Sequence, residues 1–390
     1  MTVGPRIITD KSFIQTLNGD IIDEMTLYFT PTSLPTLISE IIADLKLPRK
    51  KDGRIAEVIV QQLAAKMGGA HGAQPPPLRS LVVGDLHGQT PPLNGYTLPV
   101  MNGTPGVASN ASGTQLLVSQ IPQQEMWARW EAGDFSTDDD ATATAWRAAI
   151  AATDLEAERD RWKPFAEQLG NPNSLETAVE AVDRVMADPS RKVQADLINV
   201  ALTAVRGDMR DKTSASNYFV GLPKGVLLRD YAPFAAHVSR LYLCFAVGLA
   251  RGFIGTRPSN TIDLQYLLYA PFCRVLVSND RLFRSLWQAG AVTSEGEFVW
   301  GEDFKADLKA RNDWRRTLTF EQWQAHHAVH GQWPAPIEGS IVSRLWERHV
   351  PWWPRGGGSD GPNVGKHIDD IDDPLLKAAI AAMEKLRKQL

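Results

Sequence analysis

The stretch Arg6-Ile-Ile-Thr-Asp10 decides how this chain is read. Arg6 to Thr9 is a short β-prone run, and an acid at its end falls at the carboxyl edge of a sheet, where open α/β folds place their ligands. Three further acids occupy related settings. Glu40 lies in a helix-like stretch, Asp263 opens the segment Ile262 to Ala270, and Asp280 follows the apolar run Arg274-Val-Leu-Val-Ser278.

Around Glu40 the spacing predicts a helix capped by Ser33 that tolerates Pro35 in its first turn. Leu34, Leu37, Ile38, Ile41, Ile42 and Leu45 then share one face, and Glu40 borders it. A single Glu in that position is more often a solvated surface residue than a ligand. The weight lies in the order of the four settings: a strand-end Asp, a helical Glu, a helical Asp and a second strand-end Asp.

That order resembles the PIN-domain nucleases. RIITDKSFIQTL (6–17) and LYFTPTSLPTLISEII (27–42) look like the family's first strand with its Asp, its second strand, and the helix with its Glu. DLQYLLYAPFCRVLVSNDRLF (263–283) looks like its acidic helix, followed by a strand ending in Ser/Thr-Asn-Asp. The resemblance implies an α/β fold with a PIN-like central parallel sheet flanked by helices. It also implies that Asp10, Glu40, Asp263 and Asp280 gather around one or two divalent ions, magnesium or manganese, because hard cations favour oxygen ligands. Crowded acids without a metal repel one another and raise some pKa values. The implied activity is metal-dependent endoribonuclease chemistry, with the ion lowering the pKa of an attacking water and neutralising phosphate charge. Ser278 and Asn279 would support that shell and the substrate. RNA is favoured over DNA by the resemblance alone. The alternative is a PIN-like scaffold that binds nucleic acid or protein without turnover.

The departure from the family is length, since more than half of the chain separates Glu40 from Asp263. The expected division is a first PIN-like part over 1–83, a mainly α-helical insertion over 84–228, a second PIN-like part over 229–350, and a linker with a C-terminal helix over 351–390. Specificity is expected to reside in the insertion.

With 390 residues, 43% hydrophobic and 22% charged, the chain is that of a folded protein with one large or two modest cores. Cys244 and Cys273, its only cysteines, exclude a disulfide framework and a cysteine zinc site. They are expected to be buried thiols. No signal peptide opens the sequence, so a cytoplasmic location is expected. Tyr231 to Ile254 is strongly apolar but contains His237, Arg240 and Arg251, which favours a buried helix over a membrane span.

The formal net charge of -4 gives no global pull toward nucleic acid, but charge is uneven. Glu131 to Asp160 holds nine acids against Arg147 and Arg159 and should repel phosphate. Arg206 to Arg257 holds eight Lys/Arg against three Asp and ends just before Asp263. A phosphate-binding surface there would use Arg206, Arg210, Lys212, Lys224 and Arg229. A solvated or salt-bridged face is the plain alternative for each.

Helices are expected over Arg54 to Lys66, Gln124 to Glu131, Thr142 to Ala166, Leu175 to Asp188 and Val193 to Arg206, and a strand at Leu81-Val82-Val83. The four tryptophans Trp127, Trp130, Trp146 and Trp162 read as helix packing rather than base stacking. Gly84-Asp85-Leu86-His87-Gly88, after that strand, resembles the first metal motif of metallophosphoesterases. Nothing downstream supplies the rest of that family's set, so Asp85 and His87 read as a turn. His326, His327 and His330 stand at near-helical spacing and are read as surface or capping residues. Pro351 to Pro362 reads as an aromatic clasp and flexible linker. Asp373 to Leu390 is patterned as an amphipathic helix, able to dock on the body or a partner. A homo-oligomer or protein partner through it or through the insertion is compatible with the sequence.

Overall fold

The computed structural model describes residues 4–47, 55–69, 74–98, 107–109, 115–117, 121–330, 333–335 and 337–351. The linker and C-terminal helix expected beyond 351 lie outside the described residues.

The chain starts with β1 (Arg6–Thr9), α1 (Lys11–Thr16), α2 (Gly19–Tyr28), β2 (Thr30–Pro31) and α3 (Pro35–Ile42). The helices α4 (Ala56–Gly69) and α5 (Leu78–Leu86) and a hairpin of β3 (Val107–Ser109) and β4 (Gln115–Leu117) come next. A helical series then runs through α6 (Ile121–Glu131), α7 (Thr137–Ala151), α8 (Leu155–Gln168), α9 (Leu175–Met186), α10 (Arg191–Ala204), α11 (Met209–Val220), α12 (Leu228–Tyr231) and α13 (Pro233–Ala250). After α14 (Asn260–Leu268) the chain returns to the sheet with β5 (Val275–Ser278), α15 (Arg281–Gln288) and β6 (Glu297–Trp300). It continues through α16 (Gly301–Thr317), α17 (Phe320–His330) and α18 (Ile341–His349).

The fold is α/β: a small four-stranded parallel sheet, in the order β2-β1-β5-β6, flanked by helices. Ile7 pairs with Val275 and Pro31, and Val275 with Glu297. Both central strands are buried along their whole length, as parallel strands covered by helices on both faces must be. Alternation divides their side chains between two cores. Ile7, Val275 and Val277 pack with Phe29, Phe304 and Trp346 of the layer built from α2, α16 and α18. Ile8 and Leu276 face the other way, into a core that runs without interruption through Leu37, Val82, Phe234 and Leu241. The long helical segment therefore shares its core with the sheet.

The centre of that second layer is α13, packed by α5, α8, α9, α10 and α14. By length and composition α13 is apolar enough to cross a membrane, but 83% of it is buried inside the protein. Trp127 and Trp130 are buried and meet edge to face at 5.2 Å; Trp146 and Trp162 pack against the same core. Cys244 and Cys273 are buried free thiols.

Four local expectations are corrected. Leu81-Val82-Val83 is helix, not strand, because Leu81, Val82 and Leu86 form the buried stripe of α5. The expected boundary at 83/84 thus falls within a helix. Ser33 does not cap α3: the cap position is Leu34, with no side-chain bond, and the buried Ser33 Oγ has no hydrogen-bond partner. The helix expected over Thr142 to Ala166 is two, α7 and α8, with Asp154 capping the second through the Ala157 N–H at 2.9 Å. Leu27 and Tyr28, expected in the second strand, end α2 instead.

Candidate functional site

In strand order the chain passes from β1 outward to β2 on one side and from β5 outward to β6 on the other. The reversal falls between β1 and β5, and a crevice opens at such a switch point beyond the carboxyl ends of the strands. Asp10 and Asp280 follow those two ends.

Asp10 turns the chain out of β1 into α1, where its side chain caps the helix. Its Oδ1 accepts the Phe13 N–H at 2.7 Å; its Oδ2 accepts hydroxyls from Ser12 at 2.8 Å and Ser278 at 2.6 Å. Ser278 Oγ in turn accepts the Asp280 N–H at 2.9 Å, so one buried hydroxyl ties the two strand ends together. Burial raises the Asp10 pKa, the three hydrogen bonds oppose that rise, and Asp280 adds to it.

Asp280 caps α15 through Oδ1, which accepts the Leu282 N–H at 2.7 Å. Its Oδ2 faces the Arg257 guanidinium at 3.2 Å. The same Nη2 stands 3.6 Å from Asp263 Oδ2, a buried oxygen with no hydrogen-bond partner. Desolvation, with the charges of Asp280 and Glu40, pushes the Asp263 carboxyl up to about 8, against the pull of Arg257.

Glu40 reaches the cluster from α3. Its Oε2 accepts the Tyr266 hydroxyl at 2.5 Å, and Thr36 on the same helix bonds Gln265 at 3.2 Å, joining α3 to α14. Burial raises the Glu40 pKa, Tyr266 and Lys11 lower it, and Asp10 raises it again. Lys11 stands beside it, donating to the Glu40 carbonyl at 3.0 Å and to Asp44 at 2.6 Å.

The four acids are therefore brought to one edge of the sheet, close enough to perturb one another. Their oxygens are the donors that magnesium or manganese prefers, and Asp263 Oδ2 is an acceptor with nothing to accept. Among the described residues, however, no three His, Cys, Asp or Glu side chains are grouped closely enough to hold a metal ion. The donor chemistry fits a cation; the side chains as placed are not a ready ligand cage.

The remaining candidates separate. Ser278 belongs to the site through Asp10. Asn279 caps α16 instead, its Oδ1 accepting the Glu302 N–H at 2.9 Å. Gly301 allows that approach, since a Cβ there would lie 2.7 Å from Asn279 Oδ1 and from the Phe13 ring. Arg210 and Lys212 ride on α11, which packs on α5 and α10; Arg229 is in α12, on α10 and α13, and Lys224 lies between the two helices. Among the described residues no hydrogen bond or ion pair joins these four to the acids. The exposed Arg206 takes a positive φ of 56° at the end of α10.

Asp85 and His87 form no metal motif. Asp85 is buried and caps α13 from outside, its Oδ2 accepting the Ala235 N–H at 2.9 Å; Ala232 at that helix's own cap position has no acceptor to offer. His87 ends α5, bonded to the Val83 carbonyl at 2.7 Å and Ser214 at 2.8 Å. His326, His327 and His330 lie on α17, none of whose residues is buried.

Sequence reasoning missed Tyr266, Arg257, Lys11 and Ser12. Two had legible signals: Tyr266 is three residues beyond Asp263 and so on the same helix face, and Arg257 closes the basic segment beside the acids. No protein-family model, curated protein or solved structure matches the chain.

Proposed function

We propose that this protein is a PIN-like, metal-dependent endoribonuclease whose site is Asp10, Glu40, Asp263 and Asp280. The observation that carries the reading is the placement of Asp10 and Asp280 at the ends of adjacent central parallel strands, with Asp263 driven upward in pKa by desolvation and by the other three acids. Carboxylates held together against their own repulsion mark a functional site more often than a structural one. Asp10, Glu40, Asp263 and Asp280 would hold magnesium or manganese, which when bound supplies an activated water and neutralises phosphate charge.

The chain's own residues prepare that chemistry. Ser12 and Ser278 fix the orientation of Asp10, and Tyr266 fixes Glu40, as hydrogen-bonded outer residues do for ligating carboxylates. Arg257 adds positive charge at the open side. In the hydrolysis, water adds to phosphorus, one phosphorus–oxygen ester bond breaks, and the departing oxygen takes a proton.

Asp263→Asn is the cleanest test, because Asp10 and Asp280 also cap helices whereas Asp263 accepts no hydrogen bond at Oδ2. We expect manganese-dependent cleavage of mixed tRNA and ribosomal RNA to fall by roughly 100-fold or more, with folding intact. Undiminished cleavage in Asp263→Asn and Asp10→Asn would remove the catalytic assignment. One observation favours the second reading, an inactive scaffold: the caps give Asp10 and Asp280 structural work without any ion. Single-stranded DNA in the same assay decides between RNA and DNA.

A further inference from the structure

Among the described residues Arg257 is the one cation that touches two of the four acids, and its setting differs from that of other well-placed arginines. It sits between α13 and α14, in a turn that contains Gly252 at a φ of +76°. Its side chain is 64% exposed. One nitrogen, Nη2, lies 3.2 Å from Asp280 Oδ2 and 3.6 Å from Asp263 Oδ2. Among the described residues the guanidinium has no other hydrogen bond or ion pair. Arg240, by contrast, is held by both oxygens of Asp183 and by the carbonyls of Gly290 and Ala291. Arg311 is buried and bound to Ser340, Ser343 and the Ala335 carbonyl. Those two arginines brace packed helices. Arg257 braces nothing except the two acids.

Neither of the two oxygens it faces is held by another side chain or by the backbone. Asp280 Oδ1 is spent on the α15 cap, but its Oδ2 meets only Arg257. Asp263 Oδ2 has no donor at all within hydrogen-bond distance. The cation that the fold places between these oxygens is a long, exposed, weakly tethered side chain. A structural ion pair would be better served by a fork engaging both oxygens of one carboxylate.

We propose that the Arg257 guanidinium is a displaceable occupant of the cation position between Asp263 and Asp280, so that a divalent ion and this side chain compete for the same two oxygens. This rests on the metal-site reading above and adds to it a way of keeping the acids together when no ion is bound. Exposed ion pairs contribute little to stability, so the side chain leaves at small cost. Once released it is tethered beside the site, where a phosphodiester anion would take up its charge.

The test is manganese binding to the full chain by titration calorimetry, with RNA absent, for the native protein, Arg257→Gln, Arg257→Lys and Asp263→Asn. Removing the competitor should tighten manganese binding in Arg257→Gln by about fivefold, the upper range for an exposed pair. Arg257→Lys, which keeps the charge, should stay within about twofold of the native protein. Asp263→Asn should lose the site. If the native protein binds manganese but Arg257→Gln binds it equally or more weakly, or if Arg257→Lys tightens as much as Arg257→Gln, competition is refuted while the metal site stands. If the native protein binds no manganese, the metal-site reading itself fails and this inference falls with it.

Discussion

The fold buries carboxylates both at the carboxyl edge of the sheet and within its helical layers, and it treats them in opposite ways. Glu24 on α2 is fully buried, and Arg315 of α16 meets it at 2.8 Å. Asp44, just after α3, is almost as buried and receives Lys11 at 2.6 Å and Arg147 at 3.1 Å. Each is matched by cations from another element, and each fastens that element. At the sheet edge Asp263 is less buried, and its nearest cation is an exposed arginine 3.6 Å away. Burial raises the pKa of Glu24 and Asp263 alike. At Glu24 the first opposing influence is Arg315; at Asp263 the next influences are two more acids. A carboxylate that the fold compensates is part of its framework, and one the fold leaves uncompensated is a candidate for function.

The strongest way to break this contrast is the Asp263→Asn variant, with its roughly 100-fold expected loss of cleavage. If the contrast holds, that loss comes with no loss of thermal stability in metal-free buffer. The reciprocal substitution, Arg315→Met, should do the reverse. It leaves Glu24 buried without its ion-pair partner, which should cost about 2 kcal/mol, below the range for a fully buried pair because Arg315 is itself partly exposed and Tyr28 and Arg311 remain beside the carboxylate. Urea denaturation measures that cost, and cleavage per folded molecule should be unchanged.

Asp85 sharpens the comparison from a third position, since it is buried without a cation but caps α13. Asp85→Ala should lose about 1–2 kcal/mol through the unpaired Ala235 N–H, whereas Asp85→Asn keeps an acceptor oxygen and should lose much less. Neither should alter cleavage by folded protein; a loss of phosphoesterase-type activity in Asp85→Asn would restore the motif that the helix argues against.

The last contrast is the pH dependence of stability. Asp263 carries a folded value of about 8 against an ordinary 3.8, and Asp10 and Glu40 are raised as well. Between those values the folded state binds more protons than the unfolded, so metal-free stability should decline as pH rises from about 4 to 8. Thermal melts across that range should show the decline in the native protein and less of it in Asp263→Asn. Manganese should reverse it and release protons on binding.

Much of the sheet was legible because its strands are short apolar runs bounded by punctuation: Ile7-Ile8 before Asp10 and Val275 to Val277 before Ser278. Their parallel pairing was expected from the resemblance. Leu81-Val82-Val83 failed because three apolar residues suit either period. Contact with α10, α11 and α13 makes it helix. The acids were legible as strand-end and helix residues, but the hydroxyls and the arginine that set their state were not, since Ser278 reaches Asp10 across 268 positions and Tyr266 reaches Glu40 across 226.

What the sequence determined by itself was therefore local: which segments are apolar enough to be central strands and a core helix, and which acids stand at their ends. Tertiary structure alone decided that Asp10 is saturated by hydrogen bonds, that Asp263 is left without one, and that Arg257 stands between two carboxylates. Those outcomes depend on which elements pack together across the chain. A side chain's charge state is set by neighbours distant in sequence, through desolvation and Coulomb terms that no local pattern records.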